Sequence, residues 1–141
     1  MYYKGANLLH TIRTIINNDT KWRLILRGLN KDFGLKTTTS AEIIKYINTK
    51  SGKDLTRIFN QYLHYGDIPV LEMKKEGGNA VSYRWKADIA NFDMPLLVKL
   101  SAQEEWRFIQ PSKNWKTITL KDNTESLLID TDNFYITINN L

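Results

Sequence analysis

The chain contains no cysteine, so neither a disulfide nor a thiolate metal site can form within it, and the redox character of its surroundings stays open. Only two histidines are present. His10 runs into Thr11-Ile12-Arg13-Thr14 and His64 into Tyr65-Gly66-Asp67-Ile68, so neither opens a His-Glu-x-x-His pattern, which sets two imidazoles on one helix face. Both are read as partly buried helix residues hydrogen-bonded through one ring nitrogen, and no metal or cofactor is expected from this chain's own residues. There is no Gly-x-Ser-x-Gly elbow for a serine nucleophile, and no phosphate-cradling glycine loop, because no helix follows Gly77-Gly78. No apolar run reaches the roughly 18 to 20 residues of a membrane span, and the first residues lack the pattern of a secretory signal. A membrane partner is not expected, and the compartment is left open.

What the chain does have is a formal charge of +5 spread over 141 residues, 42% of them hydrophobic. Residues 1–68 carry 11 Lys or Arg against 5 Asp or Glu, and residues 69–141 carry 9 against 10, so the excess is all in the first half. There Lys21, Arg23, Arg27, Lys31, Lys36, Lys45, Lys50 and Lys53 stand singly between apolar positions, as on the solvated faces of amphipathic helices. No nucleic-acid partner is expected.

Apolar spacing of three and four predicts four helices. Leu8, Leu9, Ile12, Ile15 and Ile16 mark the first, which Asn17-Asn18-Asp19 ends. Trp22, Ile25, Leu26, Leu29 and Phe33 mark the second, with Gly34 as its C-cap. Thr39 and Glu42 form a capping box ahead of Ile43, Ile44 and Ile47, in a helix that stops near Gly52. Asp54 is expected to cap the fourth, whose stripe is Leu55, Ile58, Phe59, Tyr62 and Leu63.

At Gly66-Asp67-Ile68-Pro69 the period changes to two. The turn Gly77-Gly78-Asn79 predicts a hairpin between Val70–Lys75 and the Val81, Tyr83, Trp85 strand. Leu96, Val98 and Leu100 follow, then Trp106 and Phe108, Ile118 and Leu120, Leu127 and Ile129, and Phe134, Ile136 and Ile138. The fold class is therefore α+β: a small helical bundle over 1–67, then an antiparallel β-sandwich over 68–141. Trp22, Trp85, Trp106 and Trp115 each fall on an inward step and are assigned to the core rather than to a stacking platform.

The opening Tyr2-Tyr3-Lys4-Gly5-Ala6 resembles the Tyr-x-Lys-Gly-Ala segment of the gluzincin zinc aminopeptidases, peptidase family M-one, which includes aminopeptidase N and leukotriene A-four hydrolase. The resemblance continues through Lys21-Trp22-Arg23, Phe33, Thr37-Thr38-Thr39, Asp54-Leu55, Phe59-Asn60-Gln61-Tyr62-Leu63 and Ile68-Pro69-Val70-Leu71. Tyr83-Arg84-Trp85, Phe92-Asp93-Met94-Pro95, Ile109-Gln110-Pro111 and Trp115 extend it into the strands. It implies the end of a thermolysin-like catalytic domain followed by a β-sandwich. By position Tyr2 matches the family's catalytic tyrosine, whose phenol stabilises the oxyanion, and Gly5 the glycine that permits close backbone approach.

The same resemblance places the zinc motif, the distant glutamate ligand and the Gly-x-Met-Glu-Asn loop for the substrate's amino group upstream of Met1. It therefore implies a C-terminal portion of a metallopeptidase (an aminopeptidase, and so a hydrolase). Zinc belongs to the parent enzyme, peptides are its substrates, and this chain is inactive alone. Its partner would be the upstream part of the same peptidase, and without that part the bared helical face would self-associate. A non-catalytic interaction module of helical bundle plus β-sandwich is the alternative reading.

Overall fold

The computed structural model describes residues 2–121, 124 and 126–141, with backbone alone for Tyr2 and Tyr3. Four helices come first: α1 (Tyr2–Ile16), α2 (Asp19–Phe33), α3 (Ser40–Ser51) and α4 (Thr56–His64). Each packs on its neighbour in sequence, and α4 returns to α1, so the four close into a ring. Most of the predicted stripe positions face inward, with Leu8, Ile12, Ile15, Ile16, Trp22, Ile25, Ile44, Ile47, Leu55, Ile58, Phe59 and Tyr62 buried, but Leu9, Leu26 and Leu63, expected on the same stripes, are exposed at their edges. Burying a side chain of this kind contributes about 1.5–3 kcal/mol, so this interior, more than helix propensity, holds the short helices.

The helix ends follow from local chemistry, with two differences from the expectation. Asn18 caps α2 through its side chain to the Lys21 N–H, and Thr39 and Glu42 form the expected capping box on α3. Gly34 does close α2, its N–H bonding the Asn30 carbonyl, but in right-handed helical geometry at φ −60°. Asp54 stands one residue too early to be the cap of α4; that position is held by Leu55. Its carboxylate instead accepts from the Thr56 N–H at 3.1 Å, while Asn48 Oδ1 accepts from the Leu55 N–H at 2.9 Å. The α3 side chain thus takes over part of the capping.

Seven strands follow: β1 (Val70–Lys75), β2 (Ala80–Lys86), β3 (Leu96–Lys99), β4 (Arg107–Ile109), β5 (Lys116–Thr119), β6 (Leu128–Ile129) and β7 (Thr137–Asn140). They form a four-stranded sheet in the order β5-β2-β1-β7 and a three-stranded sheet in the order β4-β3-β6. The architecture is α+β, as expected. The expected hairpin forms, with Val70 opposite Lys86 and Lys75 opposite Val81. Its turn places Gly77 at φ 94° and Gly78 at φ 57°, a conformation that side chains with a Cβ rarely adopt. One pair departs from the antiparallel rule. β7 lies parallel to β1, Val70 opposite Thr137 and Met73 opposite Asn140, because the chain returns past the helices before it enters the sheet.

The inner rows Leu71, Met73, Val81, Tyr83 and Trp85 from one sheet and Leu96, Val98 and Leu100 from the other belong to one buried core, which runs on into the helical interior. Polar ties cross the same junction. The Tyr135 N–H donates to Thr11 Oγ1 at 3.1 Å, and the Tyr62 hydroxyl donates to the Tyr135 carbonyl at 2.6 Å. Phe134, the neighbour of Tyr135 in the chain, is 1% exposed and belongs to the same core. Among the described residues no helix is long and apolar enough to cross a membrane.

Candidate functional site

Tyr2 lies in the first turn of α1, and its side chain falls outside the described residues. What positions that turn is Lys4, whose ammonium donates to the carbonyls of Tyr65 and Gly66, the latter at 3.4 Å. The start of α1 is thereby tied to the point where the chain leaves α4 for the strands. Gly5 does not act as the resemblance implies within this chain: a Cβ there would meet no heavy atom within 4 Å.

The two histidines stand apart in role. His64 ends α4 on the surface. His10 is also exposed, not partly buried, and its Nε2 lies 2.7 Å from Asn133 Oδ1. The Asn133 amide nitrogen already donates to Asp130 Oδ2 at 2.8 Å, which turns its oxygen toward the ring, so Nε2 must carry a proton. Asp130 is buried, and the chain Asp130–Asn133–His10 pins the segment before β7 onto α1. Beside it lies an open hollow of about 430 Å³ lined by His10, Arg13, Asn18 and Leu97 among others. Across it Arg13 and Asp19 form a two-bond ion pair at 2.9 and 3.0 Å. Among the described residues no three of His, Asp and Glu come close enough together to hold a metal ion.

Three polar groups gained importance that sequence patterning did not signal. Gln61 is fully buried and satisfied at both ends: its amide donates to the Asp67 carbonyl at 3.2 Å and to Asp88 Oδ2 at 3.0 Å, and its oxygen accepts from the Ile89 N–H at 2.9 Å. Tyr62 is a buried donor whose phenol is pushed above the ordinary tyrosine range by burial and, secondarily, by Tyr135. It stays protonated through neutral pH. Glu72 is buried on the outer face of β1, paired with Arg84 Nε at 2.8 Å. Trp115 stacks on the arginine of that pair, with Lys74 Nζ 4.5 Å and Arg84 Cζ 4.4 Å from its ring centroid. The alternation of β1 gives no sign that its outer face carries a buried carboxylate; the tryptophan over its partner comes from the residue just before β5.

The tryptophans divide. Trp22 and Trp85 are core residues, Trp85 donating its indole N–H to the Met94 carbonyl at 2.9 Å. Trp115 is half-buried over its cations. Trp106 is not in the core: it is 43% exposed, standing just ahead of the edge strand β4 with Lys99 Nζ 4.8 Å from its ring centroid.

Neither a protein-family model nor a curated protein matches the sequence significantly. Among solved structures the chain is similar to the aminopeptidase A of Legionella pneumophila, crystallised in complex with aspartic acid. The superposition has a TM-score of 0.75 over 97% of this chain, with 16% of residues identical. It takes in 17% of that enzyme's chain, so the present chain spans about a sixth of the length of the protein it matches. At that identity the likeness is one of fold: the helices and the two sheets are arranged as in a segment of an aminopeptidase.

Proposed function

We propose that this chain is the part of a gluzincin-type zinc aminopeptidase that follows the metal site, in an enzyme that removes N-terminal residues from peptides. The observation that carries the reading is the fold likeness over 97% of the chain to a 17% segment of an aminopeptidase. The opening Tyr2-Tyr3-Lys4-Gly5-Ala6 supports it independently. In this reading Tyr2 is the oxyanion donor. A neutral phenol keeps its proton at pH 7 and donates to the oxyanion that develops on the scissile carbonyl, a contact worth on the order of 3 kcal/mol in the transition state. Lys4 holds the turn that carries it.

The described residues do not fit a zinc ion, since no cluster of three ligating side chains exists among them. No step through the metal is therefore assigned to this chain; zinc belongs to the upstream part of the enzyme. Leu9, Leu24, Leu26 and Leu63, all exposed on the helices, are the residues such a part would cover.

The test is a zinc determination and an aminoacyl-amide hydrolysis assay. The chain alone should hold no stoichiometric zinc and show no turnover, and either result to the contrary overturns the reading. In the enzyme joined to its upstream part, Tyr2→Phe should lower kcat by about 10²–10³-fold with KM little changed. Unchanged kcat would remove Tyr2 from the chemistry.

A further inference from the structure

Alternation along β2 sends Ser82, Arg84 and Lys86 to the outer face of the four-stranded sheet, where Arg84 lies opposite Glu72 of β1. The buried Glu72 engages the guanidinium at one edge only, accepting from Nε at 2.8 Å. The Trp115 ring stacks on it, with its centroid 4.4 Å from Cζ. Arg84 is thereby fixed in place, yet among the described residues neither of its Nη groups donates a hydrogen bond. Beside it lies an open hollow of about 290 Å³ lined by Glu72, Arg84, Lys86 and Lys113 among others. The loop that carries Lys113 is clamped to β2, since the Trp85 N–H donates to the Ser112 carbonyl at 2.7 Å. The Asn114 N–H closes the same loop on Ser112 Oγ at 3.3 Å. Lys86 and Lys113 are exposed, and among the described residues neither enters an ion pair. Three cations thus meet one carboxylate, a formal net charge of +2. Asp88, the nearest acid along the chain from Lys86, is turned to Gln61 instead.

We infer that this hollow binds a phosphoryl group, with the two Nη groups of Arg84 as the fork and Lys86 and Lys113 as the counter-charges. The planar end of an arginine matches a pair of phosphate oxygens, and a fork held before the ligand arrives loses less freedom on binding. Glu72 and Trp115 do that holding. Charge selects the ligand. A phosphoryl group carries about −1.5 to −2 at neutral pH and offsets the whole excess, whereas a single carboxylate leaves half of it. The hollow lies on the outer face of the sheet, and its assignment is independent of the peptidase reading.

Isothermal titration calorimetry of the whole chain with inorganic phosphate at pH 8 and low salt tests this. One phosphate per chain should bind with a Kd of about 1 mM, and acetate about tenfold more weakly. Lys86→Gln and Lys113→Gln should each weaken phosphate by about threefold, and the double variant by about tenfold. Glu72→Gln keeps an oxygen for Arg84 Nε and removes the opposing charge, so it should tighten phosphate by about threefold. Removing two positive charges elsewhere, by Lys21→Gln with Lys31→Gln on α2, should change the affinity by less than about twofold. Circular dichroism confirms folding, and the lysine variants, at exposed positions, carry the test even if the Glu72 variant is unstable. O-Phosphoserine separates the two sources of the group: affinity equal to or above that of inorganic phosphate assigns a phosphomonoester, and lower affinity the free ion. No saturation below about 10 mM would overturn the proposal, as would acetate binding as tightly as phosphate. So would unchanged affinity in the folded Lys86 and Lys113 double variant, or an equal loss in the α2 pair.

Discussion

The phenol of Tyr62 donates a 2.6 Å hydrogen bond to the main-chain carbonyl of Tyr135, and the two rings stack with centroids 6.2 Å apart. One side chain of α4 thereby holds the segment that leads into β7.

Replacing Tyr62 with Phe keeps the stacking and removes the donor, leaving the Tyr135 carbonyl without that partner. A loss of about 1–2 kcal/mol in denaturant unfolding is expected. The pH dependence has a definite sign. The folded-state pKa is raised, by burial first, so this group's contribution is fully present below the ordinary value of 10.0 and is lost as pH rises above it. The wild type should lose stability in that alkaline window, and Tyr62→Phe should flatten the slope; equal slopes would show that the phenol ionises as readily folded as unfolded.

The capping box of α3 gives the complementary acid-side prediction. The Thr38 hydroxyl, followed by the Thr39 N–H, holds the Glu42 carboxyl below its ordinary 4.5. Its contribution is present above that value and is lost as pH falls through the lowered folded pKa. Thr39→Ala should cost about 1 kcal/mol at neutral pH. Glu42→Gln should flatten the dependence of stability on pH below 4.5, as read by unfolding across acidic buffers.

Gly28 on α2 leaves room for the ring of Tyr46 on α3: a Cβ at this position would collide with the Tyr46 hydroxyl and lie 3.1 Å from Cζ. Helix propensity alone favours Ala over Gly by about 1 kcal/mol. Gly28→Ala should nevertheless destabilise, because Tyr46 must move off its edge contact with Phe33. A double-mutant cycle with Tyr46→Phe, which removes the hydroxyl, should recover part of the loss; strict additivity would show that the two helices do not meet there.

Arg84→Ala should strand the Glu72 carboxylate, whose side chain is only 9% exposed. Breaking a fully buried pair costs about 3–5 kcal/mol, and with Arg84 37% exposed a loss on the order of 2 kcal/mol is expected. Replacing both charges with apolar residues should recover most of it in thermal unfolding.

The helices and the β1–β2 hairpin were legible because their signals are local. Ile12, Ile15 and Ile16 declare a face by spacing alone, Thr39 and Glu42 declare a helix start, and Gly77-Gly78 declares the turn. What sequence patterning missed depends on partners far along the chain. Glu72 reads as an ordinary outward residue until Arg84, itself under Trp115, pairs with it, and Gln61 as part of a polar face until Asp88 and Ile89 arrive. Trp106 fails in the opposite direction: alternation assigns it to the core, but it stands ahead of the edge strand β4, 43% exposed with the Lys99 ammonium over its ring. The proposed site rests on resemblance at Tyr2 alone, since the segment carries a motif but too few groups of its own for chemistry to be read from it.

The parallel seam between β1 and β7 bears on how the molecule assembles in time. Val70 waits for Thr137, so the four-stranded sheet cannot be completed until β7 has been synthesised, whereas the β1–β2 hairpin can form as soon as its turn emerges. Closing so long a loop carries an entropic cost that its contacts offset only at the end, so β1 stays an open template through most of folding. A ribosome-bound chain that has not yet reached β7 would present that template to other nascent chains, and this is the stage at which a chaperone would have most to protect.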